Sequence, residues 1–158
     1  TTKRNTGVDG GKEGLSGNEW RSREVEIAGV TFHNDRGEET RRFLSSEGLR
    51  IRIGYQAKER IENPVFGFSV ASAEGRTVFG SNTQIEEFPL PVVEGPGALE
   101  LEMSPLPFMR GKFFFSFSIH SGDHLENYHR LENTHSISVT PATNEEGFVK
   151  LPLTWRRL

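Results

Sequence analysis

Residues 63–83 read NPVFGFSVASAEGRTVFGSNT, and this stretch predicts a β-hairpin. Phe66, Phe68 and Val70 alternate with small residues, which is the period-two pattern of a strand with one buried face. A second apolar run at 76–83 follows the turn, where Gly75 supplies the backbone freedom that a tight turn needs. The stretch therefore predicts two antiparallel strands.

The same alternation recurs along the chain. Further strands are predicted at 24–32, 49–57, 98–103, 112–120, 134–140 and 147–153. Residues 88–97 carry prolines and glycines at spacings that a central strand does not tolerate, so they are predicted to form a long loop. About eight short strands with regular turns predict an all-β, antiparallel β-sandwich. A barrel is the alternative, although a long loop suits a crossover between two sheets better.

The first 23 residues have a different composition. They combine glycines with charged and small polar residues, and they are predicted to be a flexible linker, with the sandwich domain at 24–158. The word GVDGGKEG at 7–14 is not a phosphate-binding loop, because Glu13 stands where the motif needs serine or threonine. The chain begins at Thr1, and we expect it to be a piece of a longer protein.

Composition and motifs argue against several function classes. The chain has no cysteine and a net charge of −3, which exclude thiolate metal sites and disfavour nucleic-acid binding. His120, His124, His129 and His135 are interpreted as polar loop residues rather than metal ligands. No nucleophile motif is present, and most carboxylates fall in pairs at turns. We therefore predict a protein that is not an enzyme and that has no cofactor and no bound metal.

A candidate binding surface lies on the predicted strand at 112–120. Its inward row is Phe113, Phe115, Phe117 and Ile119, which leaves short polar residues and one ring facing outward. With the strands at 63–72 and 134–140 as neighbours, this outer face becomes a shallow trough suited to sugar hydroxyls. The predicted carbohydrate-binding residues are Ser69, Phe114, Ser116, Ser118, His120, Ser136 and Ser138.

Phe114 is the predicted stacking ring, and His120 is expected to close the end of the trough. The alternative is an ordinary solvent face, or a face covered by another domain. Arg50, Arg52 and Gln56, on the outer face of the opposite sheet, are the second candidate surface. They would be preferred by a polysaccharide with acidic groups, which arginine pairs with well.

The segment ENPVFGFSVASAEGRTVFGSNTQ, residues 62–84, resembles the C-terminal carbohydrate-binding domain of Wzt, the ATP-binding subunit of ABC exporters of O-antigen polysaccharide. LRIRIGYQAKERI, GKFFFSFSIHS and GFVKLPLTW are similar to other strands of that family, so the resemblance covers roughly 24–155. It implies an immunoglobulin-like sandwich that binds polysaccharide in the cytoplasm, at the inner face of the inner membrane, within a transporter complex. It also implies a homodimer formed by exchange of C-terminal strands. The chain has no Walker motif or ABC signature, so ATP hydrolysis is expected to belong to another domain of the full-length protein. The resemblance implies that this ATPase domain and the membrane subunit of the transporter are partners of the chain.

The residues that carry the resemblance look architectural. Asn63 precedes a proline and is expected to be extended, and Phe79 is expected in the core. Asn82 and Thr83 are expected to cap a loop rather than to touch ligand. The function that follows is O-antigen recognition for export. The alternative is a protein-interaction domain of a polysaccharide assembly system.

Overall fold

The computed structural model of the chain describes residues 2–6, 17–22 and 24–158, and all regular elements among them are strands. The strands are β1 Thr2–Thr6, β2 Gly17–Arg21, β3 Val25–His33, β4 Arg42–Leu44, β5 Leu49–Glu62, β6 Val65–Ser72, β7 Thr77–Asn82, β8 Val92–Met103, β9 Gly111–His120 and β10 Asn127–Thr140. Within the described residues, no helix is of the length and hydropathy required to cross a membrane.

The strands form two sheets. The larger has the order β1-β2-β10-β9-β6-β7, with β4 paired parallel to the end of β10, and the smaller has the order β3-β5-β8. All other pairings are antiparallel. The predicted all-β sandwich is therefore confirmed, with two strands more than expected before residue 24 and a further one at β4.

The core lies between the two sheets. The inward row of β9 is buried as predicted, and Phe115 and Ile119 have no exposed surface. Leu49 and Ile51 of β5 face this row and are equally buried. The ring of Phe32 in β3 packs edge-on against Phe115 at 5.4 Å, which joins the two layers. Each such side chain contributes about 2–3 kcal/mol through burial alone, so this core fixes the two outer faces.

The predicted loop at 88–97 is partly wrong, because β8 begins at Val92. Pro96 lies opposite Gln56 of β5 within the ladder. Among the described strands, β8 pairs with β5 alone and is therefore an edge strand, where a residue without an N–H is tolerated. Pro96 therefore marks a sheet edge, whereas Pro89 and Pro91 lie in the loop before β8, as predicted.

Part of the predicted linker lies among the described residues. Residues 7–16, which include the glycine-rich word, lie outside the described residues. β2, however, lies alongside β10, with Trp20 opposite Arg130, and the N–H of Ser22 donates to the carbonyl of Tyr128 at 2.7 Å. A polar segment becomes a strand here because β10 offers it an open edge. The domain boundary at 24 and the flexibility of 1–23 stay predictions.

His129 fixes this attachment. It is 2% exposed, and its Nδ1 accepts a hydrogen bond from the N–H of Ile27 at 2.7 Å. Its Nε2 lies 3.0 Å from Oε1 of Glu19, so Nε2 carries the proton and donates. Burial lowers the pKa of His129 and outweighs the opposing effect of Glu19, which keeps the ring neutral near pH 7. One side chain therefore joins β3, β10 and β2.

His135 is the second histidine that was predicted to lie in a loop and instead lies in a strand. It lies opposite Phe115 on the inner face of β10, and its ring centroid is 5.7 Å from that of Phe117. Burial, with a smaller contribution from Arg41, lowers the pKa of His135 to about 4. His129 and His135 are thus interior groups, and the expectation of loop histidines is wrong for both.

The C-terminal segment is not a strand in the structure. Its only pairing among the described residues is a bridge from Val149 to Phe108, supported by the N–H of Met109 donating to the carbonyl of Phe148 at 2.8 Å. Leu151 and Trp155 are 63% and 94% exposed. The predicted strand at 147–153 is therefore wrong for this chain by itself.

The hairpin at 63–83 follows the prediction with two exceptions. Gly75 has φ of 86° in the turn, as expected. Asn63 has φ of 49° rather than an extended conformation, which asparagine tolerates better than most residues. Phe79 is 54% exposed, because β7 is an edge strand that the smaller sheet does not cover.

Asn82 and Thr83 have the predicted loop roles. Oδ1 of Asn82 accepts from the N–H of Ile85 at 2.7 Å, and Oγ1 of Thr83 accepts from the N–H of Phe66 at 3.2 Å. Both side chains fix the start of the loop that leads from β7 to β8.

Candidate functional site

A trough of about 210 Å³ runs along the outer face of the larger sheet, across β7, β6, β9 and β10. Its depth comes from missing side chains. A Cβ atom on Gly67 would lie 2.7 Å from Oγ of Ser118, and one on Gly80 would lie 3.3 Å from Cβ of Ser69. Gly67 therefore forms the floor of the trough, Gly80 lies beside it opposite Ser69, and the neighbouring serines form the walls.

Four of the seven predicted site residues line this trough. They are Ser69, Ser116, Ser118 and His120. The register explains why they meet: Ser69 lies opposite Ser116, and Gly67 lies opposite Ser118, across the β6–β9 ladder. Successive outward residues of one strand and its neighbour thus share a surface.

The serine hydroxyls are not equally available. Oγ of Ser116 donates to Oδ1 of Asn133 at 3.3 Å and accepts from the N–H of Asn133 at 2.9 Å. Among the described residues, no partner is recorded for the hydroxyls of Ser69 and Ser118. These two hydroxyls are free to hydrogen-bond a ligand, whereas the hydroxyl of Ser116 is occupied by Asn133 of β10.

Phe114 does not fit the predicted role. Its side chain has no exposed surface, although it lies on the outer face and outside the main core cluster. The ammonium of Lys112, two residues earlier, lies 5.4 Å from its ring centroid. The expected exposed stacking ring is therefore wrong, because alternation predicts the face of a side chain and not what covers it.

Ser136 and Ser138 do not join the trough either. Ser136 is buried opposite Phe114, and Ser138 is exposed opposite Lys112. Lys112 is four residues from Ser116, or roughly 13 Å along an extended strand. These two serines belong to the same sheet face but lie beyond the buried ring.

Asn127 and Arg130 also line the trough, and the sequence analysis missed both. It did so because β10 was predicted to start at residue 134, whereas it starts at Asn127. The pairing steps from Leu131–Phe117 to His135–Phe115, so three residues of β10 bulge opposite Ser116. The bulge interrupts the alternation, although His129 and Leu131 alternate with polar residues before it.

His120 closes one end of the trough, as predicted. Its Nδ1 lies 2.9 Å from the carbonyl of Ser121, so Nδ1 donates there and Nε2 is the available acceptor of the neutral ring. The ring of His124 lies 4.4 Å from that of His120, and Nε2 of His124 donates to Oε1 of Gln84 at 2.6 Å. His120, His124 and Gln84 form a ridge, and we use that name for them.

A larger cavity lies on the other side of the ridge, at the end of the sandwich. This end cleft measures about 930 Å³ and is lined by residues from three connections, at 62–65, 83–90 and 121–123. Its lining mixes proline and phenylalanine with carboxylate and amide side chains. The cleft could not be predicted from the sequence, because it is formed by three connections that lie far apart in the chain.

The second candidate surface carries neighbouring charges of both signs. Arg50 lies opposite Glu102 and Arg52 opposite Glu100 in the β5–β8 ladder. Nε of Arg50 lies 3.4 Å from Oε2 of Glu102, and both side chains are about half exposed. Each arginine thus has an adjacent carboxylate, which weakens the attraction of this face for anions. Within the described part of the chain, no three His, Asp or Glu side chains are arranged to hold a metal ion.

Comparison with known proteins gives three findings. The family model described as the Wzt C-terminal domain matches residues 16–151. An O-antigen export system ATP-binding protein, RfbB of Myxococcus xanthus, is 27% identical over 131 residues, which cover 83% of this chain and 29% of that protein. A crystal structure of the C-terminal domain of Wzt superposes with a TM-score of 0.76 at 14% identity, covering 89% of this chain and 87% of that one. This chain thus spans less than a third of the curated relative's length.

Proposed function

The chain belongs to the family of Wzt C-terminal domains, and on that premise we propose that it is a non-catalytic domain that binds O-antigen polysaccharide for export by an ABC transporter. The relative named as the ATP-binding protein of an O-antigen export system supports the transporter context. The family match starts at residue 16, so β2 lies within the matched region. ATP hydrolysis is then the task of another domain, and the site of action is the cytoplasmic face of the inner membrane.

The trough is the observation that carries this proposal. The lack of a side chain at Gly67 lets a polymer approach the sheet closely, and the hydroxyls of Ser69 and Ser118 have no competing partners among the described residues. Short hydroxyl side chains lose little conformational entropy when they bind sugar hydroxyls, since they have few rotatable bonds. Nε2 of His120 adds an acceptor at one end.

The proposed partner in assembly is a second copy of the chain. Trp155 and the leucines at 151, 153 and 158 are exposed to solvent. Among the described strands, β8 has an open edge of 12 residues. Exchange of C-terminal segments would cover both the apolar segment and a sheet edge.

A protein-interaction domain is the second candidate. Val78, Phe79, Ile85 and Phe88 are exposed apolar side chains on and after the edge strand β7, and such side chains favour contact with a protein partner. A protein-interaction function would be favoured if the trough does not bind glycan.

Calorimetric titration with O-polysaccharide purified from the organism that carries this chain tests the function. Ser118→Trp should abolish binding, because the indole would fill the trough. Ser138→Trp is the matched control, since it adds the same ring to the same sheet face outside the trough and should bind like the parent. Melting temperatures should confirm that both variants fold, and Ser69→Trp provides a second block of the trough if Ser118→Trp does not fold.

Absence of binding by the parent chain would contradict the proposal and favour a protein partner. Loss of binding in Arg52→Ala, with Ser118→Trp unaffected, would instead move the site to the smaller sheet.

A further inference from the structure

We propose that the end cleft is a second saccharide subsite, with Phe88 as its stacking ring, and that it takes a neutral or amino-substituted sugar unit. This inference rests on the proposed glycan-binding function and extends it from the trough to the end of the sandwich. The ring predicted to stack in the trough, that of Phe114, is buried, so a stacking platform has to come from an exposed phenylalanine elsewhere. The cleft supplies one, because Phe88 lines it and is 56% exposed.

The size of the cleft fits a ligand better than the trough does. Its volume of about 930 Å³ lies at the upper end of the range of small-molecule sites, whereas the trough has about 210 Å³. A sugar unit needs an apolar wall for its C–H face and several acceptors for its hydroxyls. Pro64, Pro89 and Leu90 give apolar wall next to Phe88, and Asn63 and Glu87 give polar groups.

The three connections around the cleft are held in place by hydrogen bonds. The N–H of Asn63 donates to the carbonyl of Pro91 at 2.9 Å, and the N–H of Phe88 donates to the carbonyl of Thr83 at 2.8 Å. Nε2 of Gln84 donates to the carbonyl of Gly122 at 3.2 Å, which ties the second connection to the third. A cleft that is already formed loses little entropy on binding.

Backbone conformation marks the same region. Asn63, Glu87 and His124 have φ of 49°, 54° and 64°, and each lies in or beside a different connection of the cleft. Such conformations are maintained only where the surrounding structure enforces them. The backbone conformations of Asn63 and Glu87 orient their side chains. Neither side chain forms a hydrogen bond with another described residue.

Charge sets the class of sugar. The lining includes the carboxylates of Glu62, Glu87 and Asp123. Among the described residues, Arg60 forms an ion pair with Glu62 at 3.7 Å, and the other two carboxylates form none. The hydroxyl of Ser121 and the N–H of Leu125 hold the pKa of Asp123 below its usual range, so it stays ionised. Uronic acids and phosphate-bearing sugars would therefore be repelled, whereas neutral and amino sugars would find acceptors.

The ridge connects the two subsites. His120 faces the trough, and Gln84 lines the cleft, with His124 packed between them. A polysaccharide is long enough to cross this ridge, so one chain would occupy both sites. The domain would then recognise a run of several units rather than a single sugar.

The test uses the full chain and the same purified O-polysaccharide, with Phe88→Ala against Phe79→Ala. Phe79 is 54% exposed, which matches Phe88, but it does not line the cleft or the trough. Phe88→Ala should weaken binding about tenfold and Phe79→Ala less than twofold, because only the first removes a stacking ring. In ¹H–¹⁵N spectra, the amides of Gly122 and Thr83 should shift on titration together with that of Ser69.

Unchanged binding in Phe88→Ala, with glycan still bound in the trough, would overturn the second subsite and leave the proposed function standing. No binding of polysaccharide by the parent chain would overturn both. Tighter binding of an acidic polysaccharide such as polygalacturonate than of the O-polysaccharide would overturn the assigned sugar class.

Discussion

The two ends of the described chain behave in opposite ways. Residues 17–22 are mostly polar and yet form β2 in the larger sheet, whereas residues 148–158 carry the alternating apolar pattern of a strand and lie exposed. The difference lies in what each segment meets. β2 finds the open edge of β10 and a buried histidine, whereas the C-terminal segment has one bridge to Phe108. Strand formation therefore depends on an available ladder more than on amphipathic pattern.

The largest effect is expected at the attached end, from His129→Ala. The change leaves the N–H of Ile27 without its acceptor and removes the donor to Glu19, and both lie in or near the interior. An unsatisfied buried donor and the space left by the ring together should lower the free energy of unfolding by about 3 kcal/mol. Urea denaturation measures this, and amide exchange should show faster exchange in β2 than in β6. Unaltered stability would mean that His129 does not fix β2.

The pH dependence of stability should come from the histidines of β10 and not from the exposed C-terminal segment. The pKa of His135 is about 4 in the fold against 6.5 for the unperturbed group, so the unfolded chain takes up the proton first as the pH falls. The stability from neutral His135 is full above about pH 6.5 and is lost towards pH 4, with a slope of at most about 1.4 kcal/mol per pH unit. His129 acts in the same direction.

His135→Phe should flatten the fall in stability between pH 6.5 and pH 5, because a third ring beside Phe32 and Phe117 does not titrate. Deletion of residues 151–158 is the control, since that segment has no histidine or carboxylate side chain and its removal should leave the slope as it is. His129 still acts in the same direction, so a smaller slope should remain, and a slope as steep as that of the parent chain would contradict this origin of the pH dependence. Thermal melts across the pH range give the measurement.

The smallest effect on the fold is expected at the exposed end. Trp155→Ser should change the stability of the monomer by less than about 0.5 kcal/mol, because Trp155 is 94% exposed. The same change should weaken the proposed dimer, and deletion of 151–158 should yield monomers in sedimentation equilibrium. A full chain that is a well-folded monomer at micromolar concentration would contradict the exchange of C-terminal segments.

The sequence predicted the sandwich because its core strands alternate over long runs. The inward rows alternate from 49 to 57 in β5 and from 113 to 119 in β9, so both strands were predicted with the correct buried faces, although β5 continues past a bulge to Glu62. It failed where neighbours decide the outcome. β8 continues through Pro96 because it is an edge, and β10 was shortened because a three-residue bulge hides its alternation.

The candidate site was partly predictable for the same reason. Ser69, Ser118 and His120 follow from alternation and from the adjacency of β6 and β9. The burial of Phe114 could not be predicted, since a covering contact leaves no periodic signal. The end cleft could not be predicted either, because its three connections meet only in the folded domain.

The glycine floor of the trough separates what is fixed from what can vary. Any side chain at Gly67 would collide with Ser118, so the depth of the trough is a property of the sheet itself. The walls of the end cleft are connections between strands, and such segments accept changes of length and composition that strands do not. Under the proposed function, the trough would bind features common to many polymers, and changes in the loops of the end cleft would determine which repeating units the domain binds.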